Sequence, residues 1–147
     1  MVKNLAINIS GAFPVNKARV HKVISILKNH YRVKITFLII NFVSSEQIKK
    51  INVQYLNHQY ETDILTFNYS GSNTELDGEV FISPQEAAAN AKRYKKEFDD
   101  EVKRLVIHGF LHLLGFDDKT RAEKLKMRLL EKEMLVSLNF NLLSAKR

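Results

Sequence analysis

The segment 33–43 constrains the fold more than any other part of the chain. It is Val-Lys-Ile-Thr-Phe-Leu-Ile-Ile-Asn-Phe-Val, a run dense in β-branched and aromatic residues, which favour extended structure. The segment therefore predicts a central strand. The rest of the chain must then supply further strands and the helices that cover the sheet.

The other elements follow from apolar spacing and from capping and turn residues. Further strands are predicted at 5–9, 63–69 and 79–83, the last two joined as a hairpin through turn residues in 70–78. Helices are predicted over 16–29, 46–57, 84–96, 99–114 and 119–138. In the last helix the predicted apolar stripe is Leu125, Leu129, Leu130 and Met134. This order predicts one α/β (α+β) domain over residues 1–147, a small mixed four-stranded sheet covered by about five helices.

Composition excludes several classes of protein. The chain has 147 residues and no cysteine, which rules out disulfides, thiolate metal sites and thiol catalysis. No apolar run approaches the roughly 20 residues that span a bilayer, and the N-terminus lacks the pattern of a signal peptide. We therefore expect a cytoplasmic protein without a membrane partner.

The charge is unevenly distributed along the chain. The formal net charge is +7, and residues 1–45 carry seven basic side chains and no acidic one. Residues 46–100 are net acidic, whereas 101–147 are again net basic. Basic ends around an acidic middle suggest a polyanion partner, although solvated helix faces would give the same pattern.

Residues 105–118 combine two histidines with almost wholly apolar neighbours. His108 and His112 are four residues apart, so they stack on one helical face and can bind a single metal ion. Two imidazoles in a buried helix need polar partners, and a shared divalent ion would satisfy both. Gly115 allows a left-handed turn, after which Asp118 can fold back as a third ligand. Three such ligands at the C-terminus of a helix, with the fourth position open, are the arrangement of a catalytic zinc ion.

Two other interpretations compete with the metal site. The histidines could bind backbone carbonyl groups, with Asp117 and Asp118 capping the next helix; the glycine and the acid in register favour the metal. Zinc endopeptidases share the histidine spacing but place a glutamate, their general base, after the first histidine. Here that position is Gly109, which argues against a peptidase.

The segment 108–118 resembles the signature H-G-x-L-H-L-x-G-[YF]-D-H of the YbeY endoribonuclease (rRNA maturation factor) family. Two further stretches are similar to family segments. They are L-N-H-Q-Y at 56–60, followed by T-D-I-L-T-F at 62–67, and G-E-V-F-I-S at 78–83. The resemblance spans about 33–138.

The resemblance implies a metal-dependent endoribonuclease that prefers single-stranded RNA. Such a protein matures ribosomal RNA, notably the 3′ end of the small-subunit RNA, and serves ribosome quality control. Its partners would be ribosomal RNA and small-subunit ribosomal proteins. His108, His112 and Asp118 would hold one Zn²⁺ ion and act catalytically through it. The ion would polarise a phosphate oxygen or deliver hydroxide to phosphorus; the sequence leaves both routes open.

This chain departs from the family pattern at two positions. The third ligand is usually histidine, and Asp118 stands there; a carboxylate is an acceptable zinc ligand, but its charge weakens the pull on bound water and admits harder metals. The family also has an arginine after the tyrosine, and Glu61 occupies the corresponding place in a shortened loop. Phosphate contacts are therefore expected from other elements, with four candidate RNA-binding residues: Lys17, Arg19, Lys22 and Arg104.

Two rival functions remain at the level of sequence. The chain could be a non-catalytic RNA-binding factor in ribosome assembly whose metal is structural. Alternatively, it could be a metal-dependent hydrolase of peptides or small molecules, for which the basic N-terminal block is superfluous.

Overall fold

The computed structural model describes residues 1–56 and 62–143. Strands in this part are β1 (Leu5–Ile9), β2 (Lys34–Phe42), β3 (Ile64–Asn68) and β4 (Glu75–Ile82). Helices are α1 (Lys17–Tyr31), α2 (Ser45–Leu56), α3 (Pro84–Tyr94), α4 (Phe98–Leu113) and α5 (Arg121–Ser137). The predicted α/β fold, a mixed four-stranded sheet with five helices, is confirmed.

The sheet has the strand order β1-β2-β4-β3. Strand β2 pairs in parallel with β1 on one side and with β4 on the other, so the central position predicted for 33–43 is confirmed. Strands β3 and β4 form the predicted antiparallel hairpin. Strand β4 begins at Glu75, four residues earlier than predicted, because residues 75–78 extend the parallel ladder with β2.

Short polar side chains begin most of the helices. Asn16 accepts a hydrogen bond from the Arg19 backbone N–H at the start of α1. Ser83 does the same for α3, with Pro84 in the first turn. At α2 the Ser44 hydroxyl accepts from the Gln47 N–H while the Gln47 side chain accepts from the Ser44 N–H. These caps satisfy backbone donors that the first turn leaves free.

The starts of two helices distinguish between the interpretations that the sequence left open. Helix α4 begins at Phe98 and has no side-chain cap. Asp99, where the helix was predicted to begin, accepts hydrogen bonds from the backbone N–H groups of Leu142 and Leu143. Helix α5 is capped by a reciprocal Thr120–Glu123 pair, so neither Asp117 nor Asp118 caps it.

The predicted apolar stripe of α5 is partly wrong. Leu125 and Leu129 are each 60% exposed, whereas Met127, Glu131 and Met134 are buried. The helical spacing allows either face of α5 to be buried. Packing against α4 buries the face that carries the Glu131 carboxylate. No helix in the part of the chain described above is long and apolar enough to cross a bilayer.

Candidate metal centre

The centre is built where α4 ends. Leu114 is the C-cap and Gly115 adopts φ +101°. The Gly115 N–H donates to the His112 carbonyl and the Phe116 N–H donates to the Leu111 carbonyl. This pair of hydrogen bonds is the Schellman arrangement, which reverses the chain after a helix. The predicted left-handed turn is confirmed, and it returns Asp118 to the histidine face.

Three ligand atoms converge at this point. One Asp118 carboxylate oxygen lies 3.4 Å from His108 Nε2 and 3.4 Å from His112 Nε2. Within the described residues, His108, His112 and Asp118 are the group of acids and imidazoles whose donor atoms could hold a metal ion. Tetrahedral ligands at about 2.0–2.1 Å from zinc are themselves about 3.3–3.4 Å apart. The two Asp118–imidazole distances match this spacing, and all three donor atoms lie within 4.8 Å of one another, so the donor set could hold a zinc-sized ion.

A buried carboxylate contacts His108 at Nδ1, the ring nitrogen on the other side from Nε2. Glu131 on α5 is 3% exposed, and its Oε2 atom lies 2.5 Å from His108 Nδ1. When His108 Nδ1–H donates to this carboxylate, the lone pair of Nε2 points at the metal position. Glu131 thus selects both the tautomer and the orientation of a ligand. Sequence reasoning missed it, because no spacing rule links a residue 23 positions away to the histidine pair.

The Arg104 guanidinium lies next to Glu131 and contacts several carboxylates. Arg104 donates two hydrogen bonds of 2.8 Å to Glu101 and one of 3.3 Å to Glu131. Its Nη2 atom also lies 3.9 Å from Asp63 Oδ2. The hydrogen bonds to Glu101 raise the pKa of Arg104, although burial opposes them. Arg104 is therefore a fixed cation that neutralises buried acids.

Asp63, the residue before β3, joins this network. Its carboxylate accepts a 2.9 Å hydrogen bond from the Asn90 side chain. Burial raises the pKa of Asp63, and the Arg104 guanidinium opposes that rise. The network thus links α3, α4, α5 and the sheet around the centre.

Gly109, beside the first histidine, marks the close approach of α4 to the sheet. A Cβ atom there would lie 2.9 Å from Val80 Cγ1 and 3.2 Å from Ile64 Cδ1. A glutamate, the general base of zinc endopeptidases, would not fit this space without displacing Val80 and Ile64 or the helix. Steric crowding at Gly109 therefore adds to the sequence argument against a peptidase.

The four predicted RNA-binding residues lie in different places. Arg104 lines a cavity of about 260 Å³ beside His108 and Asp118. Lys17 is exposed on α1, Arg19 donates to the Leu143 carbonyl, and Lys22 lies over the Phe140 ring. Of the described residues that line the cavity, none comes from α1.

Two further basic residues line the cavity and were not predicted. They are Lys124 and Arg128, on the exposed side of α5. Their spacing of four residues is visible in the sequence, but nothing there indicates which side of α5 faces the histidines. Residues 57–61, which include His58, Tyr60 and Glu61, lie outside the described part of the chain.

The fold and site define an α/β domain with a three-ligand candidate metal centre at a helix C-terminus. A family model described as endoribonuclease YbeY matches residues 9–139. The chain therefore belongs to the YbeY family, as the sequence motifs indicated.

Individual relatives agree with this assignment. The endoribonuclease YbeY of Christiangramia forsetii is 42% identical over 108 residues, which is 74% of this chain and 73% of the relative. That of Bacteroides thetaiotaomicron is 45% identical over 83 residues, or 56% of this chain and 60% of the relative. The solution structure of TM1509 from Thermotoga maritima superposes with a TM-score of 0.65 at 24% identity, covering 91% of this chain and 88% of that one. This last likeness concerns the fold.

Proposed function

We propose that this protein is a metal-dependent endoribonuclease that cuts single-stranded RNA during ribosomal RNA maturation. Its proposed substrate region is the 3′ end of the small-subunit RNA, and its proposed setting is ribosome quality control in the cytoplasm. The observation that carries the proposal is the convergence of two imidazoles on one carboxylate, each 3.4 Å from its oxygen, beside a cavity. The family to which the chain belongs supplies the substrate class.

Zn²⁺ is the ion we propose for the centre, held by His108, His112 and Asp118. When bound, it would supply Lewis acidity at the scissile phosphate and charge for the oxygens that become more negative during cleavage. Borderline nitrogen ligands favour zinc, whereas the carboxylate lowers the net charge of the centre and admits manganese more readily than a third histidine would.

The residues of the chain itself have separate roles in this proposal. Glu131 keeps His108 in the tautomer that presents Nε2 to the cavity, and Arg104 stabilises the buried charge of Glu131. Asp118, whose side chain is 39% exposed, is the ligand nearest to solvent. The RNA would therefore approach from the Asp118 side, over the cavity that this residue lines.

The deciding experiment compares the wild type with His112→Ala, purified identically, on a single-stranded fragment from the 3′ end of small-subunit RNA. We expect cleavage by the wild type alone, and loss of it when a chelator is added. Equal cleavage by both proteins would mean a contaminating ribonuclease. If neither protein cuts while both bind the RNA, the chain is better described as a non-catalytic assembly factor with a structural metal.

A further inference from the structure

A small cavity beside His108 and Asp118 is lined by three basic side chains. Its volume is about 260 Å³, and its lining residues come from α4, α5 and the turn between them. The basic ones are Arg104, Lys124 and Arg128. These three cations differ in how available they are to a ligand.

Arg104 is already engaged. It makes three hydrogen bonds to Glu101 and Glu131, both nearly buried, and lies near Asp63 as well. Moving its guanidinium to a ligand would leave the buried carboxylates of Glu101 and Glu131 without their cation, which is costly. Arg104 therefore contributes to the structure of the centre more than to its contacts with substrate.

Lys124 and Arg128 are in the opposite situation. Both are exposed, and within the described residues neither has a carboxylate in ion-pair range. They are four residues apart, so they lie on one side of α5 about 6 Å apart along its axis. Two free cations on one side of a helix form an anion-binding edge.

The anion-binding edge lies beside the candidate metal centre. Lys124 and Arg128 line the same cavity as His108 and Asp118. A phosphodiester placed against the centre would thus have its neighbouring phosphates within reach of α5. Phosphate contacts by lysine and arginine supply most of the sequence-independent affinity for nucleic acid and fix its register.

We propose that Lys124 and Arg128 bind the RNA backbone beside the scissile phosphate and so position the strand over the candidate metal centre. This inference rests on the proposed function for its substrate. The family has a loop arginine where this chain has Glu61, so phosphate contacts must come from another element. The proposal assigns these contacts to α5 and not to Arg104 or to the residues of α1.

The test compares the double variant Lys124→Gln/Arg128→Gln with the matched control Lys126→Gln/Lys132→Gln. The control removes two charges from exposed residues of the same helix that do not line the cavity. Binding of a fluorescent single-stranded 2′-O-methyl RNA is measured from about 0.05 to 0.3 M salt. Each lost phosphate contact lowers the salt slope by about 0.7, and weakens binding about fivefold at 0.1 M salt.

We expect the slope of the cavity-lining double variant to fall by about 1.4, with about 25-fold weaker binding at 0.1 M salt. The control should bind like the wild type, and zinc titration should show unchanged metal affinity in both variants. Equal losses in the two variants, or wild-type binding by the cavity-lining variant, would overturn the inference.

The same set of proteins separates this inference from the proposed function. If the wild type cuts RNA and the cavity-lining variant binds and cuts equally well, the inference fails while the endoribonuclease stands. If the wild type binds RNA without cutting it and the variant still shows the reduced slope, the proposed activity fails while the RNA contacts stand. A wild type that neither binds nor cuts RNA would overturn both.

Discussion

Individual side chains decide how well the centre is preorganised. His108 is held between Glu131 at Nδ1 and the Asp118 oxygen 3.4 Å from Nε2. His108 and His112 also meet edge to face, with ring centroids 4.5 Å apart. Because the imidazole positions are set by protein contacts, an ion would meet ligands that need little rearrangement.

Glu131→Gln tests the hydrogen bond that orients His108. The amide preserves the size of the side chain but accepts the His108 Nδ1–H hydrogen bond more weakly and carries no charge. We expect zinc affinity to fall about 10- to 100-fold, the usual cost of removing such a partner. Competition with a chromogenic chelator at constant pH measures this directly.

Glu133→Gln is the matched control for that measurement. Glu133 lies on the same helix, but its side chain is 58% exposed and its Oε1 atom lies 3.5 Å from His30 Nε2. Its variant should bind zinc like the wild type. Wild-type zinc affinity in Glu131→Gln would show that the carboxylate does not orient His108.

At the scale of elements, α5 shows how a helix can carry two apolar faces. Met127 and Met134 are 2% and 1% exposed, whereas the equally apolar Leu125 and Leu129 are largely exposed. The buried face includes Glu131, whose carboxylate forms an ion pair with Arg104 and a hydrogen bond with His108, both on α4. The polar network, together with the methionines, thus determines the rotation of α5.

Two substitutions on α5 test this rotation. We expect Met134→Ala to lower the free energy of unfolding by about 2–5 kcal/mol, the range for deleting a buried side chain. Leu129→Lys should change it by less than about 0.5 kcal/mol, because the site is exposed and the two residues have similar helix propensity. Urea unfolding followed by circular dichroism gives both values.

The reverse order would contradict the observed packing. A large loss in Leu129→Lys with a small one in Met134→Ala would place the leucines against the core. That outcome would restore the stripe expected from the sequence.

For the whole molecule, the candidate centre connects elements that are distant in sequence. The candidate ligands come from α4 and from the turn after it. Glu131, which contacts His108, lies on α5. Asp63, which lies near Arg104, precedes β3. An ion that binds these residues only when they are assembled stabilises the folded state as a whole.

The corresponding prediction is a zinc-dependent melting temperature. At a free zinc concentration of about 100 times Kd, the free energy of unfolding should rise by about 2.7 kcal/mol. For a chain of this size that is about 5–10 °C. Thermal unfolding with and without zinc, and again after chelation, measures the shift.

His112→Ala provides the comparison for this shift. The variant lacks one ligand, so zinc should raise its melting temperature little or not at all. An equal shift in both proteins would mean that zinc stabilises the fold at some other position.

The sequence by itself determined the elements and the three ligand candidates, because these depend on short-range rules. Apolar spacing, caps such as Asn16 and Ser83, and the turn at Gly115 act within a few residues. The i, i+4 histidines and the acid after the glycine were visible for the same reason.

Only the tertiary structure decided what surrounds those ligands. The strand order, the burial of Glu131, the engagement of Arg104 by carboxylates and the approach of Lys124 and Arg128 to the cavity all depend on how α5 packs against α4. Helical periodicity leaves that rotation undetermined when both faces carry leucine or methionine. The choice is made by the burial and pairing of charges between residues more than 20 positions apart, which short-range sequence patterns do not record.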